Sequence, residues 1–444
     1  MKSSYFEDML DKISSKLESR VNAYALLLTL IDETMIKYAN SQPSVTQSWS
    51  MYELGLYLIK DKKAFVAGLR NPNEKDLDVF IENSLKKLEK IRETELLPEF
   101  PSTKTHDALP SVDKKVIDAQ SNLGKLMELV SSRTRNETEI AGMISLGKRE
   151  IMLRTSTGFT GKHANTFFNG YFRIFRGERS GQWAFSSTFY DEGLVEKTLD
   201  NAEFYASLKL PYLKPEEGEY TAILSPMVAG NLFSLLAYMS NAFAIQNGLS
   251  FLKPSDLEKE ITTNELSLYD DPRNIELPFN TPFDAEGVST YNKPIIEKGV
   301  LKNILHNTAT ARLFGARSTG NAGWIEPTAW NLEIKEGDAS LEEMIKDTKK
   351  GVLLNNNWYT RFQNYTTGEF STVARDAIIL IENGEFKGLL RKARISSSYP
   401  QLLRNIRTIG KERYKIKWWE VENPFILPYV VIDNVRVTIP DFPS

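Results

Sequence analysis

Residues 228–246 are apolar on nearly every side of a helix: Leu232, Phe233, Leu235, Leu236, Tyr238, Met239, Phe243 and Ile245 leave no polar face for water. A helix of that composition is stable only when a core or a partner encloses it. The stretch is broken by Ser234, Ser240 and Asn241 and falls short of the roughly 20 apolar residues that cross a bilayer, so burial in a domain is expected and a membrane span is not. The enclosing material must come from the rest of the 444 residues, and much of that rest reads as strand.

Residues 21–31, 35–39, 45–59 and 64–69 are strand-like, with turn formers such as Asn40, Pro43, Asp61 and Asn71 between them, a pattern that predicts an antiparallel meander. A second strand-rich block, 137–189, shows Trp183, Phe185 and Phe189 at period two and predicts long hairpins turning at Gly158, Gly161 and 177–181. Helices are expected at 1–17, where Tyr5, Met9, Ile13 and Leu17 share a face, and at 76–92, 112–131 and 192–207. The prolines Pro211 and Pro215 suggest a linker, so domains are placed at 1–214 and 215–444. The expected fold is α+β: two domains of antiparallel meanders packed with helices, the second domain holding the buried apolar helix.

Lys plus Arg number 55 against 58 Asp plus Glu, a net charge of −3, so no global field draws the chain to nucleic acid or anionic membrane. The absence of cysteine excludes disulfides, thiolate nucleophiles and zinc sites that use sulfur, and fits a reducing cytosol. The three histidines, His106, His163 and His306, stand apart, with no second histidine at helical spacing. Ser84 and Lys87 share serine–lysine spacing but sit on the polar side of a Glu- and Lys-rich helix, where a chance pairing is expected. Asp270, Asp271, Asp284 and Glu286 gather four carboxylates that could hold a hard cation, although Asp before Pro and Glu before Gly are also ordinary turn chemistry. Residues 387–417 carry ten Lys or Arg and one acid, Glu412; interleaved apolar residues such as Leu389, Ile395 and Leu402 favour a solvated face over a nucleic-acid surface.

Several motifs then follow one another: Asp270-Asp271-Pro272, Pro282-Phe283-Asp284-Ala285-Glu286-Gly287-Val288, Glu297-Lys298-Gly299-Val300-Leu301-Lys302-Asn303 and Thr308-Ala309-Thr310-Ala311-Arg312. Ser318-Thr319-Gly320-Asn321-Ala322-Gly323, Thr367-Gly368-Glu369-Phe370-Ser371 and Ile381-Glu382-Asn383-Gly384-Glu385 complete the order. In these the carboxy-terminal half resembles the TldD/PmbA family, once described as modulators of DNA gyrase and now regarded as zinc-dependent proteases. In the TldD branch the buried helix carries His-Glu-x-x-x-His, with a thiolate ligand later. Aligned from Leu224-Ser225-Pro226, those three positions fall on Ser234, Leu235 and Met239, none of which can supply the missing zinc ligand or base. The chain therefore resembles the PmbA (TldE) branch. That resemblance implies no catalytic residue and no metal in this chain, zinc in a TldD-like partner, a heterodimer or homodimer, unfolded or short peptides as substrate, and a cytoplasmic setting. It also makes Asp284 and Glu286 candidates for the peptide cleft. The alternative is a non-proteolytic protein binding nucleic acid or an acidic protein through 387–417.

Overall fold

The computed structural model describes residues 2–102, 107–134, 137–214 and 216–439. The first half runs α1 (Lys2–Leu17), β1 (Ala23–Ala39), β2 (Gln42–Lys60), β3 (Lys63–Arg70), α2 (Glu74–Lys90), α3 (Lys114–Ser121), α4 (Gly124–Ser131), β4 (Glu139–Thr155), β5 (Thr160–Arg176), β6 (Arg179–Ser187) and α5 (Glu192–Ala206). Its six strands form one antiparallel sheet in the order β3-β2-β1-β4-β5-β6. Helix α1 buries Phe6, Met9, Leu10, Ile13 and Leu17 together with Leu77, Ile81, Leu85 and Leu88 of α2 on one face of that sheet. Burying a large aliphatic side chain contributes about 1.5–3 kcal/mol, so this two-helix layer anchors the interior strands β1 and β2.

The second half continues with β7 (Tyr212–Leu213), β8 (Gly218–Leu224), α6 (Pro226–Met239), α7 (Ala242–Gln246), β9 (Leu268–Asp270), β10 (Lys293–Glu297), β11 (Val300–Leu301), α8 (Thr308–Phe314), β12 (Leu332–Ile334) and α9 (Leu341–Lys346). It ends with β13 (Lys350–Asn364), β14 (Glu369–Glu382), β15 (Glu385–Leu390), β16 (Arg394–Ser398), α10 (Tyr399–Arg404), β17 (Ile406–Ile409), β18 (Tyr414–Trp418), β19 (Val421–Leu427) and β20 (Val430–Thr438). One sheet has the order β11-β10-β9-β12-β19-β18. The other runs β13-β8-β20-β16-β14 and closes on itself because β14 also pairs with β13. Pairing is antiparallel except at β8–β13, β7–β15 and β12–β19. The apolar helix α6 lies between the two sheets, touching β19 and β18 on one side and β13 and β8 on the other. That enclosure answers its all-round apolarity. One continuous core joins it to Phe168, Phe172 and Trp183 of the first sheet and to Leu199 and Tyr205 of α5.

The α+β class and the meanders agree with expectation, and four local readings change. The first two expected strands are one, β1, because Asp32, Glu33 and Thr34 are paired in register with both β2 and β4; two flanking ladders outweigh poor strand propensity. Gly161 and Gly181 lie inside β5 and β6 instead of at turns; a Cβ on Gly161 would sit 2.8 Å from the Phe283 ring, so its bare backbone admits that ring. The helix expected over 112–131 is two, α3 and α4, parted at Asn122 and Leu123. The helix expected over 228–246 stops at Met239, because Asn241 accepts a hydrogen bond from Ala244 N–H (2.7 Å) and so caps a second helix, α7. Tyr212 and Leu213, just before the expected boundary, already pair with β15 of the second half.

Candidate functional site

Ser225 starts α6: its hydroxyl caps the first turn, Pro226 supplies the fixed φ of N1, and Ser225 Oγ donates to Asn355 O (2.6 Å). Every residue of α6 is buried except Ser234, Leu235 and Tyr238. With Asn231 these occupy i, i+3, i+4 and i+7, one stripe of the helix, and that stripe forms the floor of a groove of about 620 Å³. Of the three positions aligned with the zinc motif, Ser234 and Leu235 therefore open into the groove while Met239 points into the core, with no exposed surface.

One groove wall is the β13 bulge carrying Thr360; another is Trp419, Glu420, Glu422 and Asn423; the third is the loop from Glu326 to Ala329. A neutral network fixes the floor. Asn357 Nδ2 donates to Asn231 Oδ1 (2.8 Å), Thr372 Oγ1 (2.9 Å) and Thr360 Oγ1 (3.1 Å), and Asn231 Nδ2 donates to Glu420 O (2.7 Å). Asn357 belongs to a run of three fully buried asparagines in β13. Asn355 exchanges two hydrogen bonds with the backbone of Gln182 in β6 (2.9 and 3.0 Å), imitating a strand neighbour and fastening the two halves together. Asn356 Nδ2 reaches Gln182 Oε1 (3.2 Å) and Asp376 Oδ2 (3.0 Å). The sequence reading passed over this triplet, although three amides directly after Val352-Leu353-Leu354 were a signal, since buried amides must be satisfied.

The family-motif carboxylates hold the loop wall. Asp270 Oδ2 accepts from Lys293 Nζ (2.9 Å) and Asn321 Nδ2 (2.6 Å), and Oδ1 accepts from Trp330 N–H (2.8 Å); both members of the Asp270–Lys293 pair are buried. Asp271 lies beside it and accepts from Asn292 Nδ2 (2.9 Å). Asp284 Oδ1 accepts from Glu286 N–H (3.0 Å) and Val288 N–H (2.9 Å), and Oδ2 accepts from Ala322 N–H (2.9 Å). Glu286 accepts from Thr308 N–H (2.9 Å) at the start of α8. Asp284 and Glu286 are thus buried beneath the loop and do not line the groove. They act on it at one remove, through Ala322, which bridges to Pro327 in the wall. Burial raises both carboxyls, and the neighbouring Asp284 charge raises Glu286 further, to about 8. The three N–H donors on Asp284 favour its ionised form, so the proton of the pair resides on Glu286.

Among the described residues, no three of His, Asp and Glu converge on a point that could hold a metal. His163 is buried on Asn280 Oδ1 (3.1 Å), and His306 contacts Thr310 Oγ1 (3.3 Å) and is pushed down to about 4 by burial. His106 lies outside the described residues. The groove offers hydroxyl, amide and carboxylate oxygens but no imidazole or thiolate, and Asn231 and Thr360 are committed to the network above. That donor set does not fit a zinc site of the peptidase type, which uses nitrogen or sulfur ligands around an open position. Ser234 Oγ is shielded and has no hydrogen-bond partner. Ser84 is buried on α2, away from solvent.

The basic stretch 387–417 is dispersed over several elements and largely paired: Lys387 with Glu385, Arg391 with Glu178, Arg407 with Asp433, Arg413 with Glu333 and Glu336, and Lys415 with Glu276. Lys417 is substantially buried, which lowers its pKa. These cations do not make one continuous face.

Residues 217–439 match the PmbA/TldA metallopeptidase C-terminal domain, which defines the class. That match spans half of the chain, and the chain belongs to the TldD/PmbA family. A metalloprotease of Methanocaldococcus jannaschii is 27% identical over 401 residues, 86% of this chain and 78% of that protein. The metalloprotease PmbA of Escherichia coli O157:H7 is 30% identical over 190 residues, 43% of this chain and 40% of that one. The crystal structure of TldE from Thermococcus kodakarensis superposes with a TM-score of 0.82 at 20% identity, covering 97% of this chain and 99% of that one, so the same fold extends through the amino-terminal half. No helix among the described residues is long and apolar enough to cross a membrane.

Proposed function

We propose that this chain is a metal-free subunit of the PmbA/TldE kind, working with a zinc-bearing TldD-like chain as a protease for unfolded or short peptides. The observation that carries the reading is local: within a metallopeptidase family, the groove of this chain meets solvent through Ser234, Leu235 and Tyr238, and Met239 turns into the core. The partner supplies the zinc and its chemistry; this chain supplies shape. Its groove holds extended backbone between the Asn231 network and the exposed indole of Trp419, and the clamped loop keeps the wall rigid. A second copy of this chain is the other candidate partner, because a shared fold presents the same surface twice.

The test is peptidase activity on an unstructured peptide, with the pure chain, the TldD-like chain of the same source, and their mixture. Activity that needs both chains supports the reading. Activity of the pure chain overturns it.

A further inference from the structure

A second cleft, of about 940 Å³, lies on the opposite side of the same β13 bulge. Thr360 faces the α6 groove, while Trp358, Tyr359 and Arg361 face this cleft. Its lining holds seven Arg and Lys against two acids. Both acids are spent: Asp376, with a fully buried side chain, accepts from Arg173 Nε (2.5 Å), Ser180 Oγ (2.7 Å) and Asn356 Nδ2 (3.0 Å), and Glu178 pairs with Arg391 (2.8 Å). Arginines lie over rings, Arg375 on Trp358 (5.1 Å), Arg361 on Tyr359 (5.4 Å) and Arg391 on Tyr212 (4.2 Å). A stacked guanidinium keeps its edge of N–H donors directed outward, the geometry that grips carboxylates in pairs. Arg179 Nε is shielded and has no partner. Two non-glycine residues here hold left-handed backbone, Tyr359 (φ +52°) and Asp376 (φ +61°), a strain that clusters at ligand sites.

We infer that this cleft binds the acidic segment of an extended peptide, the chain of which continues across the bulge into the α6 groove. The inference rests on the peptide reading above and narrows its substrate class. The two sides of the bulge have opposite polarity, because the groove is lined by Glu326, Glu420 and Glu422 and by no cation among the described residues. A phosphate backbone entering the groove would meet those acids, and the rings of the cleft already carry guanidinium groups on their faces, so stacked bases find a poor platform. Between the arginines the floor is apolar, with Val373, Ala374, Ala377 and Ile378, which suits side chains alternating with carboxylates.

The experiment is fluorescence anisotropy of the full chain with a labelled Glu-rich peptide and its Gln-substituted counterpart, across a salt series. The Glu peptide is expected to bind, to weaken steeply with salt, and to lose about tenfold or more of its affinity in both Arg361→Glu and Arg375→Ala, since each variant removes charge-assisted hydrogen bonds to its carboxylates. Arg361 is exposed, so its replacement does not threaten folding, and Arg70→Ala on β3 serves as a control that keeps full binding. Equal binding of the Gln peptide, unchanged affinity in both variants, or displacement of the Glu peptide by a lower concentration of single-stranded DNA would overturn the inference. Failure here with an active two-chain mixture removes the cleft and spares the subunit reading; binding here with an inactive mixture does the reverse.

Discussion

Replacing Asp270 by Ala takes away the acceptor on which Lys293 Nζ, Asn321 Nδ2 and Trp330 N–H converge. The side chains of Lys293 and Asp270 are 1% and 0% exposed, so the variant leaves a buried ammonium without its ion-pair partner. Removing one partner of such a pair costs about 3–5 kcal/mol. Asn321 Nδ2 retains a second acceptor, Thr328 O (2.8 Å), whereas Trp330 N–H becomes an orphan at about 1–3 kcal/mol. The expected loss is about 5 kcal/mol, dominated by the charge. Lys293→Met leaves the carboxylate with two donors and should cost roughly half as much or less. The double replacement should recover a large part of the Asp270→Ala loss, because no charge is then stranded. Urea unfolding gives the three values, and hydrogen exchange reports whether residues 318–331 loosen first, since Asp270 holds that loop at both Asn321 and Trp330 while Asp284 holds it at Ala322 alone. A loss below about 1 kcal/mol in Asp270→Ala, or equal losses in the two single variants, would show that the pair is not the clamp described.

Four further outcomes follow from the same geometry. Glu286 is raised in the folded state above its ordinary value of 4.5, so the native protein holds a proton that the unfolded chain releases; that stability is present at low pH and is lost as pH rises from about 4.5 towards about 8. Glu286→Gln should flatten this slope in thermal melts, and an unchanged slope would reject the shared-proton account. Gly287 has φ +86° and a Cβ there would lie 2.9 Å from the Phe159 ring, so Gly287→Ala should lower stability by about 1–3 kcal/mol, read by urea midpoint. Asn355→Ala strips Gln182 N–H and C=O of their partners and is expected to cost about 2–5 kcal/mol and to loosen β6 in hydrogen exchange. Ser234→Ala removes a hydroxyl that makes no hydrogen bond, so stability in urea unfolding should stay within about 0.5 kcal/mol of the parent.

What could be read from residues alone was the part governed by local pattern. The period-two aromatics of β6, the amphipathic α1 and the enclosure of α6 all came from spacing. The continuity of β1 did not, since Asp32-Glu33-Thr34 is held by partners 14 or more residues away in sequence, Ser48 to Ser50 on β2 and Leu146 to Lys148 on β4. At the site, the expectation of a helix without a polar face overlooked the open stripe of Asn231, Ser234, Leu235 and Tyr238, and alignment to a motif drew attention to Met239, which faces inward. The carboxylates Asp270 and Asp284 were visible as residues, while their task was not: the N–H groups they accept come from Trp330 and Ala322, brought near only by the fold. The cationic cleft escaped because its arginines come from β5, β6, β13, β14 and the 391–394 segment, and only the last belongs to the basic run seen in the sequence.

The central claim is that this chain contributes shape to a zinc protease and holds no zinc itself. Its most direct test is zinc stoichiometry by elemental analysis, on the pure chain and on the complex with its TldD-like partner isolated by size exclusion. The account predicts no bound zinc in the pure chain and one equivalent per partner chain in the complex; one equivalent bound to the pure chain would contradict it.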